Sequence, residues 1–358
     1  MDLTMGGRKV LPQPGQSLLE LVKQLGLDGS TLTERPLAAK IAGEVFTLNY
    51  IPVRQKEAEA DRQSMRRAMA ASNGEIRLLR YADPAGKECY IRTAQFTIFL
   101  AMRQLWPEAT AKMTCTLGSS VYISVAGAKG FSASTLKARV SELVRQDIPL
   151  IRRRVKLQKA IDRFREEGQS DKARLLSWRT VDYFDEYAYG DFADYYYGEM
   201  MPSTGYLTVW DILPADGGFV FVYPDDGNPE ICAKVPPMPN FFSVFNEGER
   251  WGELMECQTV ADLNDLTNSG RIRELIRVNE ALHEKRFSQV ADQVCQRGAK
   301  AVLLAGPSSS GKTTSANRLA TQLRVHGKKP ILMSLDDYYI DRDKIAPGPD
   351  GKLDLEHI

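Results

Sequence analysis

Hydrophobic positions first take up a helical period between Leu18 and Leu25, where Leu18, Leu19, Leu21, Val22 and Leu25 form a stripe behind Gly15 and Gln16 and ahead of Gly26. Residues 38–49 then read as two strands around a Gly43-Glu44 turn, and residues 75–81 alternate as a further strand. Between them, residues 54–71 are rich in Ala, Arg, Glu and Gln without Gly or Pro, which predicts a solvated helical insertion. Further on, the pattern predicts a helix over 93–106, a strand over 121–125, and one or two long helices over 134–167, broken near Pro149. Two short strands follow around Asp216-Gly-Gly218, and Pro236-Pro-Met-Pro239 reads as a linker. The last part predicts a helix over 272–297, an apolar strand over 300–305, a helix over 314–324 and a second apolar strand over 330–335.

At 358 residues the chain predicts two or three domains, and 43% apolar with 26% charged residues is the balance of a globular protein. A formal net charge of +1 gives no global field toward nucleic acid or an anionic membrane, though it leaves room for a local basic patch. The start of the chain lacks a basic-then-apolar signal, and no apolar run reaches membrane-spanning length, so we expect a cytoplasmic protein without a membrane partner. Five dispersed cysteines without a CxxC pair fit reduced thiols rather than a disulfide framework or a zinc site. No histidine precedes His283, which excludes histidine-based metal or acid–base chemistry from the first 282 residues.

The most specific motif is Gly306-Pro-Ser308-Ser309-Ser310-Gly311-Lys312-Thr313, followed by Thr314, placed between the apolar run 302–305 and a helix. In such a loop the backbone N–H groups face inward as a nest for phosphate oxygens, and glycine allows the close approach that a side chain would obstruct. Lys312 is placed to reach the β- and γ-phosphates and the Thr313 hydroxyl to ligate Mg²⁺, so ATP and Mg²⁺ are the expected cofactors. The string arises by chance in about one chain in a hundred of this length. After the next apolar run comes Asp336-Asp337-Tyr338-Tyr339, whose carboxylates either serve phosphate chemistry or simply start a turn.

The loop through Thr314, together with Ser334-Leu-Asp-Asp-Tyr-Tyr339, resembles the uridine kinase and phosphoribulokinase group. The resemblance implies an ATP-dependent phosphotransferase acting on a nucleoside such as uridine or cytidine. Asp336 would accept the proton of the 5′-hydroxyl, with Lys312 at the transferred phosphoryl group. Tyr339 would lie against the nucleoside, and Glu356 would take the place of an acid that binds the ribose. The chain continues for only 45 residues after Thr313, against the roughly 150 to 200 of a complete domain, so a C-terminally truncated kinase domain is expected.

Earlier segments are similar to the N-terminal half of threonyl-tRNA synthetase. They are Pro36-Leu-Ala-Ala-Lys-Ile-Ala-Gly-Glu-Val45, Gln104-Leu-Trp-Pro107, Asp147-Ile-Pro-Leu-Ile-Arg-Arg-Arg154 and Pro202-Ser-Thr-Gly-Tyr206. That similarity implies a β-grasp TGS domain over 1–83 and an α+β editing-like domain over 84–235. A linker over 236–275 and a partial α/β P-loop domain over 276–358 complete the expected organisation. Counted along these motifs, the family's HxxxH and Cys-x-x-x-His positions fall on Arg92, Phe96, Tyr196 and Met200, none of which serves zinc or acid–base chemistry of that kind.

Two other readings stay open. One is a nucleotide-gated RNA-binding or regulatory protein without kinase turnover, with RNA or tRNA as partner; the other is a P-loop GTPase. A homo-oligomer is left open as well. The basic run Arg152, Arg153, Arg154, Lys156 and Lys159 is expected on a solvated amphipathic helix, with an RNA contact as the competing reading. Tyr195-Tyr-Tyr197 is expected to pack rather than to stack bases.

Overall fold

The computed structural model describes residues 3–52, 75–236, 239–341, 344–348 and 353. The helical insertion expected over 54–71 lies outside them. The chain divides into two compact units, Met1–Val244 and Phe245–Ile358.

The first unit opens with a mixed five-stranded sheet of order β2-β1-β5-β3-β4. Its strands are β1 (Leu3–Met5), β2 (Arg8–Val10), β3 (Ala38–Ile41), β4 (Glu44–Thr47) and β5 (Glu75–Leu79), with helix α1 over Leu18–Gln24. Ser17 and Glu20 form a reciprocal capping box that starts α1. The β3–β4 turn is made by Ala42 and Gly43, both with positive φ, one residue earlier than the sequence pattern placed it.

Alternation along β3 and β5 sends neighbouring residues into different cores. Ala39 and Leu78 join Met5, Leu18, Leu21, Val22 and Ile41 beneath α1. Ala38 and Leu79, one residue away, join a larger core with Tyr90, Ala94 and Phe96 of α2 (Pro84–Leu105). The sheet is therefore buried on both faces, which holds it against the next module. Gly86 in the first turn of α2 is required by this approach, because a Cβ there would overlap the Arg80 carbonyl.

Beyond α2 lies a four-stranded antiparallel sheet of order β11-β12-β7-β6, made from β6 (Thr110–Thr116), β7 (Ser120–Ala126), β11 (Asp211–Ala215) and β12 (Gly218–Val222). Helix α3 (Ala133–Arg145) contributes Leu136, Val140 and Leu143 to the same core. A three-stranded sheet, β10-β9-β8, is formed by β8 (Arg152–Lys156), β9 (Tyr183–Tyr189) and β10 (Phe192–Asp194). One of its faces packs on α4 (Leu157–Glu166) and α5 (Ser170–Ser177) through Ile161, Phe164, Leu176 and Phe184. Here the basic run departs from expectation: Arg152–Lys156 is a strand rather than a helix, because acids on β9 meet its arginines across the ladder.

Two of the segments singled out in the sequence form one knot. Pro149 bridges Ser203, Leu150 N donates to Pro202 O at 2.9 Å, and Thr204 N donates to Ile148 O at 2.9 Å. The buried Thr204 hydroxyl accepts from Ile148 N at 2.9 Å and donates to Leu143 O at 2.6 Å. From the first sheet, Asn49 Nδ2 donates to both Leu150 O (3.2 Å) and Pro202 O (2.7 Å).

The second unit is helical among its described residues. The stretch 236–275, read as a linker, carries α6 (Pro239–Leu254) and α7 (Val260–Asn268). Helix α8 (Ile272–Gln296) pairs with α9 (Lys312–Val325) through Glu284, which accepts from Arg318 at 2.7 Å and Gln322 at 2.5 Å, and through His326 and Asp292. The apolar runs 300–305 and 330–335 pair with no described strand, and Leu303 and Ile331 are 95% and 86% exposed. No sheet of the expected α/β kind is formed among the described residues: an extended run becomes a strand only where a neighbour takes up its N–H and C=O groups. No described helix is long and apolar enough to cross a membrane.

Thr204→Val keeps the side-chain shape but leaves the Ile148 N–H and the Leu143 carbonyl without their partner. We expect it to lower unfolding free energy by about 2–4 kcal/mol in urea titrations. A loss below about 0.5 kcal/mol would show that the knot does not depend on this hydroxyl.

Candidate functional site

Helix α2 and the segment after β10 bring together the four positions counted from the sequence. Arg92 donates from Nη1 to Glu199 O at 2.9 Å and pairs through Nη2 with Glu88 at 2.5 Å. Gly198 lies flat against that guanidinium; a Cβ there would come within 2.7 Å of Arg92 Cζ. One helical turn on, the Phe96 ring meets Phe192 at 5.3 Å and Tyr196 at 6.2 Å, both edge-on. Met200 is fully buried, and its N–H donates to the Tyr187 hydroxyl at 3.2 Å.

The phenol and the thiol in this cluster stay protonated near neutrality. Burial pushes the Tyr196 phenol well above its usual range, and burial likewise raises Cys89, two turns before Phe96, to about 12. Among the described residues no cluster of His, Cys, Asp and Glu is arranged to hold a metal ion.

An ion-pair lattice lines the same region. Asp185 on β9 receives Arg154 Nε at 2.8 Å and Arg152 Nη2 at 2.6 Å, and Arg152 continues to Glu199 at 2.7 Å. Tyr187 donates to the other Glu199 oxygen at 3.0 Å. On the opposite strand face, buried Glu186 receives Arg153 Nε at 2.7 Å and Arg163 Nη1 at 2.5 Å. Asp185, Glu186 and Glu199 were not singled out from the sequence. The signal for them was the Tyr183-x-Asp185-x-Tyr187-x-Tyr189 alternation, with its acids about 30 residues after the basic run. As for Tyr195-Tyr-Tyr197, Tyr195 packs on Phe184 and Tyr197 is 76% exposed.

The glycine-rich loop leads directly into α9. Ser309 (φ 59°) and Gly311 (φ 82°) take left-handed conformations that turn the loop into the helix start. Gly306 backs onto Ser310 so closely that a Cβ would meet Ser310 Oγ at 2.8 Å. The Lys312 ammonium folds over the loop and donates to Gly306 O (2.7 Å) and Pro307 O (2.9 Å). Thr313 and Thr314 are exposed in the first turn, where Thr313 O accepts from Asn317. Asp336 lies in an exposed 3-10 turn, Leu335–Tyr338, capped by the Ser334 hydroxyl, and Tyr339 follows it. Glu356 lies outside the described residues.

Compared with curated proteins, the chain is similar to threonine–tRNA ligases. It is 26% identical over 202 residues to that of Halorhodospira halophila, covering 55% of this chain and 30% of the ligase. To the ligase of Symbiobacterium thermophilum it is 25% identical over 223 residues, covering 61% of this chain and 31% of the ligase. To that of Clostridium kluyveri it is 22% identical over 278 residues, covering 76% and 39%. The chain thus matches about a third of the length of these relatives. No family model matches it.

These relatives overturn the uridine-kinase-like phosphotransferase expected from the loop: they are ligases of threonine and tRNA, not nucleoside kinases. The roles that rested on a nucleoside acceptor, Asp336 as base and Tyr339 against the nucleoside, go with that expectation.

Asp185 gives the lattice a pH dependence. Its hydrogen bond from Arg154 is the largest influence and, with Arg152, holds the carboxyl at about 2 against the opposing effect of burial. A lowered folded value means the stabilisation is complete above about 4, the unfolded value, and is lost as pH falls toward 2. The Tm difference between the parent and Asp185→Asn should therefore shrink steadily between those limits. A gap that stays constant across the range would remove Asp185 from the acid response.

Proposed function

We propose that the chain is an RNA-binding, regulatory protein whose scaffold is of the tRNA-ligase kind and whose editing cleft is chemically silent. On this reading residues 1–83 are a TGS-like module, residues 84–235 an editing-like module, and residues 276–358 carry a phosphate-binding loop that couples nucleotide to RNA. The observation that carries it is the convergence of Arg92, Phe96, Tyr196 and Met200 on one packed cluster edged by the Arg92–Glu88 ion pair. Similarity to threonine–tRNA ligases supports tRNA as the RNA class.

For the nucleotide half, the support is local geometry. The turn at Ser309 and Gly311, the close Gly306–Ser310 approach and the nearby Lys312 ammonium fit a chain of phosphates. Residues 306–314 would hold the triphosphate of ATP, with the Thr313 hydroxyl toward Mg²⁺. Bound nucleotide would supply charge for Lys312 in place of the two loop carbonyls, and that exchange is the proposed gate.

Filter binding of the full chain to a tRNA transcript, with and without ATP and Mg²⁺, tests both halves. We expect tRNA to bind, ATP to change the affinity, and Lys312→Ala to abolish the ATP effect while leaving ATP-free binding intact. Aminoacyl-tRNA should be bound but not deacylated. Absence of tRNA binding, or rapid deacylation, would overturn the reading.

A further inference from the structure

We propose that single-stranded RNA docks on the rim of the β8–β9 pair, at Arg154, Lys156 and Tyr183, with Lys159 in the first turn of the helix that follows; the proposal rests on the RNA-binding reading above and gives it a location. The register pairs Lys156 with Tyr183 and Arg154 with Asp185, which puts all four side chains on one face of the sheet. Lys159 is exposed in the first turn of α4, directly after that corner.

The centre of the surface is a stack. Arg154 Cζ lies 3.9 Å from the centroid of the Tyr183 ring, held there by its paired hydrogen bonds to Asp185. Arg154 remains 60% exposed and Tyr183 38% exposed, so the stack meets solvent. Arginine planes and tyrosine rings are the surfaces on which unpaired bases stack, and every base offers a face to them.

Charge around the stack is complementary to a phosphate backbone. Asp185 is taken up by Arg152 and Arg154, and Glu199 by Arg152. Asp182 is the further acid at this corner, where its carbonyl accepts from Leu157 N. Lys156 and Lys159 are exposed and form no salt bridge among the described residues. They do not serve the helix either: α4 has no acid in its first turn, and cations there oppose the helix dipole. Ion pairing fixes the arginine; the lysines are free for an outside anion.

A single strand fits this arrangement better than a duplex, whose bases are already stacked on one another and leave only phosphates for the lysines. Fluorescence anisotropy of the full chain with a labelled oligouridylate of about 12 nucleotides, over a salt series, is the test. Lys156→Ala with Lys159→Ala should reduce the slope of log affinity against log salt by about 1.4, two phosphate contacts at about 0.7 each. Tyr183→Ala should weaken binding about tenfold with the slope unchanged. Lys112→Ala with Lys129→Ala, a charge-matched pair elsewhere on the unit, should alter neither.

If both site variants bind the oligonucleotide like the parent while tRNA still binds, this surface is wrong and the RNA-binding reading survives. If a duplex of equal length binds as tightly as the single strand, or polyglutamate binds the surface as well as RNA does, stacking recognition is overturned. If the parent binds neither tRNA nor oligouridylate, both proposals fall together.

Discussion

The hydroxyl of Thr204 fixes the geometry from which the rest of the first unit follows. Fully buried, it accepts from Ile148 and donates to Leu143, so the end of α3 and the chain entering β8 are tied to one turn. Asp147, beside it, holds a positive φ and turns its carboxylate to the Ser203 hydroxyl and the Gly205 N–H. A Cβ at Gly205 would displace that carboxylate from its two partners. Asn49 reaches across from the first sheet and satisfies two carbonyls of the same knot. A slip of one residue at this point would carry every side chain of β8 to the opposite face. Arg152 and Arg154 would then miss Asp185, and the charged lattice would be replaced by unpaired groups.

That lattice borders a cluster of side chains that is packed rather than poised for proton transfer. A hydrolytic centre needs groups that change protonation near neutrality or that offer lone pairs to a metal or water. Arg92 offers only donors, which are taken up by Glu199 O and Glu88, Met200 is packed, and burial holds Tyr196 protonated. Each occupies volume and fixes its neighbours, which is what a binding scaffold requires. Arg152, bonded to both Asp185 and Glu199, joins the sheet to the segment carrying these positions and limits their movement.

Much of this was legible where periodicity and local chemistry coincide. The stripe at Leu18–Leu25 has the helical period, and α8 and α9 follow the pattern read from their residues, whereas α2 starts at Pro84, nine residues before the expected Thr93. The motifs at 147–154 and 202–206 pointed to a synthetase-like module, but not to each other, because their pairing is non-local. The same limit hid β8: five residues of which four are basic show no apolar alternation, and their partners lie in β9. It also produced the opposite error. Val302 and Ile331 have strong strand preference, yet preference alone does not supply the neighbouring strand that the ladder requires among the described residues.

The glycine-rich loop separates what a short segment can do from what a fold must do. A phosphate cradle is local: consecutive backbone groups, two left-handed residues and one lysine are enough to define it. Phosphoryl transfer is not local, since it depends on holding an acceptor hydroxyl and its base in line with the phosphate from other strands of a sheet. Here Asp336 follows an apolar run that pairs with no described strand, and its own turn is exposed. The features within the loop therefore support binding of a polyphosphate, whereas the features that would make it a catalyst rest on sheet pairings not made among the described residues.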